Sequence, residues 1–253
     1  MIIRKEDLES YLSQGFSEVA SSKSHAFVEK DNYFKKWARD TRATIDSTFG
    51  ADSRPSMVFL NGNPFTKGHL YLIDIARRRS SFVVVFVNNG QLDFGGHGNH
   101  EKSHIEFSFE DRFALIKEEL RVYSNVLVLP SGPYFLSRLS FPDNVLDNKA
   151  RVALSCSVLD SALFLDAIVP SLRLSCRFIG DEPRDELEEI HLNILRQECA
   201  SKAFLLKVVE RKRFEERYIT SSTVRELLEE RNFEEVKNLV PEAVYEFLRK
   251  QFV

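Results

Sequence analysis

"MVFLNGNPFTKGH", residues 57 to 69, packs an apolar run, two asparagines, a proline and a glycine-histidine pair into thirteen positions. An apolar run that ends abruptly in small and polar residues reads as a buried strand feeding a tight loop. The residues after it, "GHLYLIDIARRR" from Gly68, read as a helix. Strand, loop and helix N-terminus make an anion site. Backbone N–H groups and the positive end of the helix dipole converge there, and a phosphate is the default occupant.

Outward from that stretch, short β-branched or apolar runs alternate with amphipathic segments. "MVFLNG", "SFVVVFVNN", "SNVLVLP", "LSCRFIG" and "AFLLKVVE" are the strand candidates. Between them, Phe109, Phe113, Ile116 and Leu120 recur at helical spacing and share one face. Strands buried on both faces with intervening helices predict an α/β fold with a doubly wound, mostly parallel sheet. Ligands of such sheets sit at the carboxyl ends of strands, where "NGNPFTKGH" falls. From Ser221 to Val253 the pattern is helical only, with Pro241 suited to a first turn. Residues 1 to 54 do not continue the rhythm, and "DSTFGADSRPS" (Asp46–Ser56) has linker composition. The expected division is an appendage plus linker over 1–50 and a main domain over 51–253.

Composition narrows the function classes. The 253 residues are 43% hydrophobic and 29% charged, ordinary for a globular protein. Lys plus Arg number 35 against 38 Asp plus Glu, a net charge of -3, which gives no support for nucleic-acid or membrane-surface partners. Wholly apolar runs such as "FVVVFV" fall far short of the ~18 residues of a membrane helix, so no bilayer span is expected. The start, "MIIRKEDLES", lacks an apolar h-region and cleavage site. Cys156, Cys176 and Cys199 are odd in number and lack C-x-x-C spacing, which points to buried thiols in a reducing, cytoplasmic compartment.

Two motifs carry the chemistry. Thr66, Gly68 and His69 fit T-x-G-H, a form of the loop of the HxGH nucleotidyltransferase superfamily. Glycine lets backbone approach a phosphate, and a histidine at the helix start can donate a ring N–H as charge builds on a phosphoryl oxygen. A histidine there also serves as a cap or a packed residue. Further on, Ile219 to Arg225 in "YITSSTVREL" match I-S-S-T-x-x-R with Thr220 in place of the first serine. Such hydroxyls cap a helix, and with Arg225 they can also grip outer phosphates. The two motifs, in this order around an α/β alternation, favour a Rossmann-like nucleotidyltransferase.

A closer resemblance spans residues 56 to 250. "NGNPFTKGHLYLIDIA" resembles the N-x-N-P-F-T-x-G-H-x-x-L motif of the citrate (pro-3S)-lyase ligase family, in the C-terminal nucleotidyltransferase domain. "FSFEDRFALI", "YFLSRLSFP" and "FIGDEP" resemble further segments of that family. The resemblance implies ATP with Mg²⁺, acetate or another small carboxylate, and the acyl carrier subunit of citrate lyase. It implies catalytic roles for His69, Thr66 and Arg225, with Asn63, Thr66 and His69 around the α-phosphate. Arg112 would contact the triphosphate, and Ser221, Ser222 and Arg225 would hold the outer phosphates. Asn61, Gly68, Thr223, Gly180 and Glu182 would complete the nucleotide site, although Glu182 also fits a solvated turn. Ser137, Arg138 and Phe141 would shape the acyl side, Arg138 equally fitting a structural ion pair. "RDELEEIHLN" departs from the family pattern except at Asn193.

The amino-terminal stretch "YLSQGFSEVASSKSHAFVEKD" resembles only the last helix and hairpin of the family's acetyltransferase-like first domain, so acetyl-CoA binding is not expected. A fragment this short cannot bury its own core and must pack on the main domain, join a partner, or be a stump. Phe34 and Trp37 are expected to seat its helix. His97, His100 and His104 lie in a glycine-rich loop better suited to a lid or exposed loop than to a metal. His25 and His191 read as structural or surface residues. Two rival functions remain open at this point: adenylyl or cytidylyl transfer to a different small acceptor, from ATP or CTP, and a nucleotide-binding module without turnover.

Overall fold

The computed structural model describes residues 1–89, 105–135, 149–181 and 186–252. The chain opens with β1 (Ile2–Arg4), α1 (Leu8–Ser13), a hairpin of β2 (Ser17–Ser21) and β3 (His25–Glu29), and α2 (Tyr33–Phe49). There follow β4 (Ser56–Leu60), α3 (Lys67–Arg78), β5 (Val83–Val87), α4 (Phe109–Leu120) and β6 (Val126–Pro130). Next come α5 (Lys149–Ala162), a π-helical turn (Leu163–Ile168), α6 (Val169–Leu172), β7 (Cys176–Gly180), α7 (Glu186–Ser201) and β8 (Leu205–Val209). A short ribbon of β9 (Arg213–Phe214) and β10 (Arg217–Tyr218) leads to α8 (Ser221–Glu229), α9 (Phe233–Leu239) and α10 (Glu242–Phe252).

All five strand candidates form one sheet of order β6-β5-β4-β7-β8. Every neighbouring pair is parallel, with Val58 opposite both Val85 and Phe178. The order reverses direction at β4, which therefore has β5 on one side and β7 on the other. Each face is covered. Val83, Val85 and Val87 of β5 pack with Ile73 of α3, Ile116 and Leu120 of α4, and Val224 and Leu227 of α8. Val84 and Phe86, pointing the other way, pack with Phe34, Ala38 and Ile45 of α2, Leu159 of α5 and Leu195 of α7. A strand buried on both faces must be apolar throughout, which is why β5 reads as an unbroken run.

The amino-terminal strands form a separate antiparallel sheet of order β1-β3-β2. Ile2, Ala20 and Phe27 enter the same core as α2, α5 and the main sheet. The sheet thus packs on the body of the protein. Asp46 to Phe49, linker-like in composition, continue α2, and Arg42 fixes that helix by donating to the carbonyls of Leu172 at 2.8 Å and Ser53 at 3.0 Å. Phe34 and Trp37 of α2 pack against Tyr134, as expected of residues that seat the helix.

One helical stretch bears on the expectation of no bilayer span. Leu154–Leu172, a 19-residue helical stretch of mean hydropathy 1.4, is long and apolar enough by length and composition to cross a membrane. Counting unbroken apolar runs missed it because Ser155, Ser157, Asp160, Ser161 and Asp166 interrupt it. Leu159, Leu163, Phe164, Ile168 and Leu172 are spent on the protein's own core, so its apolarity is explained by packing. The three cysteines are buried thiols, as expected.

Candidate active site

The chain leaves β4 through Asn61 and Gly62, and Gly62 takes the left-handed conformation (φ 63°) that a side chain disfavours. A Cβ there would also meet Ile116 Cδ1 at 2.7 Å. The turn directs Asn63 back toward α4, where its Oδ1 accepts from Phe107 N at 3.0 Å. Thr66 then caps α3: its Oγ1 accepts from His69 N at 3.3 Å, while Thr66 N donates to His69 Nδ1 at 3.0 Å. This reciprocal pair satisfies two otherwise orphaned amide donors, with histidine in the place usually taken by glutamate.

The cap fixes the chemistry of His69. Burial, and secondarily the Arg211 guanidinium, push its pKa down to about 4, so the ring is neutral at neutral pH. Nδ1 accepts from an amide and carries no proton, which leaves the N–H on Nε2. Phe65 stacks on the ring with centroids 5.6 Å apart and holds its plane. The side chain is therefore a fixed neutral donor.

The second motif docks directly on the first. Thr220 caps α8, its Oγ1 accepting from Thr223 N at 3.0 Å and lying 2.9 Å from Thr223 Oγ1. Ser221 Oγ donates to Pro64 O at 2.9 Å, and Arg225 donates to Asn63 O and to Ser222 Oγ. At Gly68 a Cβ would lie 2.6 Å from Ile219 O, so the missing side chain is the space in which the two helix starts meet. The N-termini of α3 and α8 consequently sit side by side at the switch point of the sheet, a setting for anions.

Three guanidinium groups surround this point, each held below its usual pKa by burial yet always cationic. Arg112 donates to the carbonyls of Asn61, Asn88 and Phe107, and so ties α4 to the ends of β4 and β5. Arg211, beyond β8, donates from Nε to Asp181 O at 2.6 Å and from its amide to Asp181 Oδ1 at 2.8 Å. Gly180, the last residue of β7, lies beside it, a Cβ there being 3.9 Å from Arg211 Cγ. Arg225 completes the set.

The structure thus brings together Asn61, Asn63, Thr66, Gly68, His69, Arg112, Gly180, Ser221, Ser222, Thr223 and Arg225. Glu182, Ser137, Arg138 and Phe141 lie outside the described residues, as do His97, His100 and His104. No group of three or more His, Cys, Asp or Glu that could hold a metal occurs among the described residues. His25 and His191 have structural partners, Ser24 Oγ at 2.9 Å and Ser157 Oγ at 3.2 Å. Sequence reasoning missed Arg211, Asp181, Asn88 and Asn89. Their signal was position, polar residues directly after a strand candidate, as in "NN" after β5 and "ERKR" after β8.

The sheet order, the loop after β4 and the two capped helices define a Rossmann-like nucleotidyltransferase fold. A family model for the citrate lyase ligase C-terminal domain matches residues 55–248, and the chain belongs to that family. The citrate (pro-3S)-lyase ligase of Klebsiella pneumoniae is 30% identical over 195 residues, 76% of this chain and 54% of that protein. The Haemophilus influenzae ligase is 26% identical over 203 residues, 78% of this chain and 57% of that protein. The chain therefore spans about half the length of the curated relatives it matches. Among solved structures, pantoate-beta-alanine ligase from Francisella tularensis aligns at 15% identity and a TM-score of 0.47, over 79% of this chain and 81% of that one. That likeness is too loose to bear on activity.

Proposed function

We propose that this chain adenylates acetate with ATP and passes the acetyl group to the thiol prosthetic group on the acyl carrier subunit of citrate lyase, in the cytoplasm. The observation that carries it is the meeting of the two helix starts through Gly68 and Ile219, with His69 fixed in the first turn of α3 by the amide that donates to its Nδ1.

The nucleophile needs no base, because acetate is ionised at neutral pH. A carboxylate oxygen bonds to the α-phosphorus as the bond to the β-phosphate oxygen breaks, and pyrophosphate departs with that electron pair. His69 donates from Nε2 to an α-phosphoryl oxygen. The first-turn amides of α3 and α8, with Arg225 and Arg211, stabilise charge on the phosphates. Mg²⁺ would arrive on the phosphate oxygens of the nucleotide and offset their charge. In the second step the thiol sulfur attacks the acetyl carbonyl carbon, AMP leaves, and the thiol proton passes to solvent. Membership of the citrate lyase ligase family supports acetate and the acyl carrier as the partners.

The full reaction is tested by incubating the chain with ATP, Mg²⁺, acetate and an acyl carrier whose prosthetic thiol is free. The expected result is a mass gain of one acetyl group on the carrier with equimolar AMP. Turnover with CTP and a phosphorylated alcohol instead would reassign the acceptor, and nucleotide binding without turnover under any condition would reduce the chain to a binding module.

A further inference from the structure

A second set of polar contacts joins the carboxyl ends of β4, β5 and β6, on the side of the switch point away from β7. Asn88 Nδ2 donates to Asn61 Oδ1 at 2.7 Å. Arg112 holds the backbone of the same two residues through their carbonyls. On the β6 side, Asn89 Oδ1 accepts from Gly132 N at 2.7 Å and from the buried Ser131 Oγ at 3.3 Å. The end of β5 is thereby fixed from both flanks.

An asparagine amide has one acceptor oxygen and one donor NH₂. With Oδ1 of Asn61 accepting from Asn88, the NH₂ of this exposed residue is left to donate elsewhere. Among the described residues nothing accepts from it. We propose that Asn88 is a positioning residue for the acyl substrate: it holds the Asn61 amide so that Nδ2 donates to a carboxylate oxygen above the ends of β4 and β5. This assigns Asn61 to the small carboxylate instead of the nucleotide, and it rests on the function proposed above.

The geometry suits the displacement. The helix starts that grip phosphates lie beyond the loop after β4, and the Asn61–Asn88 pair lies on the β5 side. The Arg112 charge draws an anion to the region while its donors are directed at main-chain carbonyls. The oriented amide supplies the direct hydrogen bond.

Acetate-dependent exchange of labelled pyrophosphate into ATP separates the two substrates. Asn88→Asp cannot donate to Asn61 Oδ1. It accepts from Nδ2 instead, turns the oxygen outward and adds negative charge. KM for acetate should rise roughly tenfold or more, the scale of one lost hydrogen bond to a charged group, with KM for ATP within about twofold. Asn61→Asp, at an exposed position where folding is little at risk, should repeat that split. An unchanged acetate KM, or equal rises for both substrates, overturns the positioning role while leaving the ligase function standing. Absence of exchange in the parent chain overturns the function itself, and this assignment with it.

Discussion

Gly68 of the first motif lies against the carbonyl of Ile219, 151 positions further along the chain, with no room for a methyl group between them. The contact sets the distance between the α3 and α8 N-termini, and with it, under the proposed function, the span of phosphate they would bracket. Gly68→Ala should force the helices apart, at a cost of roughly 1–3 kcal/mol, and should depress turnover more than stability. Chemical denaturation and steady-state kinetics check this. Normal activity in a folded variant would mean that the spacing is not critical.

Under the proposed mechanism, His69 should act on the transition state more than on ground-state binding, because its donor bond would strengthen as charge develops on the α-phosphate. His69→Ala should lower kcat by about a hundredfold, the scale of one such donor, with KM for ATP little changed. Equal turnover in variant and parent would remove His69 from the chemistry.

The depressed pKa of His69 also predicts a pH-dependent stability. Above pH 6.5 the ring is neutral in the folded and unfolded chains alike. As pH falls from 6.5 to about 4 the unfolded chain takes up a proton that the folded one refuses, so stability is lost across that window. The total is roughly 2–3 kcal/mol. Denaturation midpoints measured from pH 7 to 4 should fall more steeply for the parent than for His69→Gln. Parallel slopes would contradict the assigned neutral state.

The sheet was legible because parallel strands buried on two faces must be unbroken apolar runs, and each of the five candidates became a strand. The face of Phe109, Phe113, Ile116 and Leu120 was equally plain, with the last two fully buried. What stayed hidden depended on distant pairing. Gly68 reads as a phosphate-approach glycine until Ile219 is seen against it. Arg112 reads as a free cation until three carbonyls from separate segments are found around it. The ribbon of β9 and β10 has two residues per strand, too few for any periodicity to register.

Arg112 should matter for stability as well as for ligand. Arg112→Ala leaves the carbonyls of Asn61, Asn88 and Phe107 without their donor, a loss on the order of 2–4 kcal/mol. Lysine should restore only part of it, having a point charge and no planar fork. A urea midpoint unchanged by Arg112→Ala, with only ATP affinity reduced, would make this residue a pure ligand group.

The buried thiols should be inert. Burial pushes Cys176 up to about 11 and raises Cys199, so neither forms thiolate readily near neutrality. A thiol-disulfide reagent at pH 8 should label none of the three quickly in the native chain and all of them in denaturant. Fast native labelling of one would identify an accessible, reactive cysteine.

The half-reaction is the most direct measure of the central claim, since adenylation of a carboxylate is reversible and needs no carrier. Labelled pyrophosphate should enter ATP when acetate and Mg²⁺ are both present, and the rate should fall to background when acetate is left out. Exchange that ignores acetate, or that appears only with CTP and a phosphorylated alcohol, would contradict it.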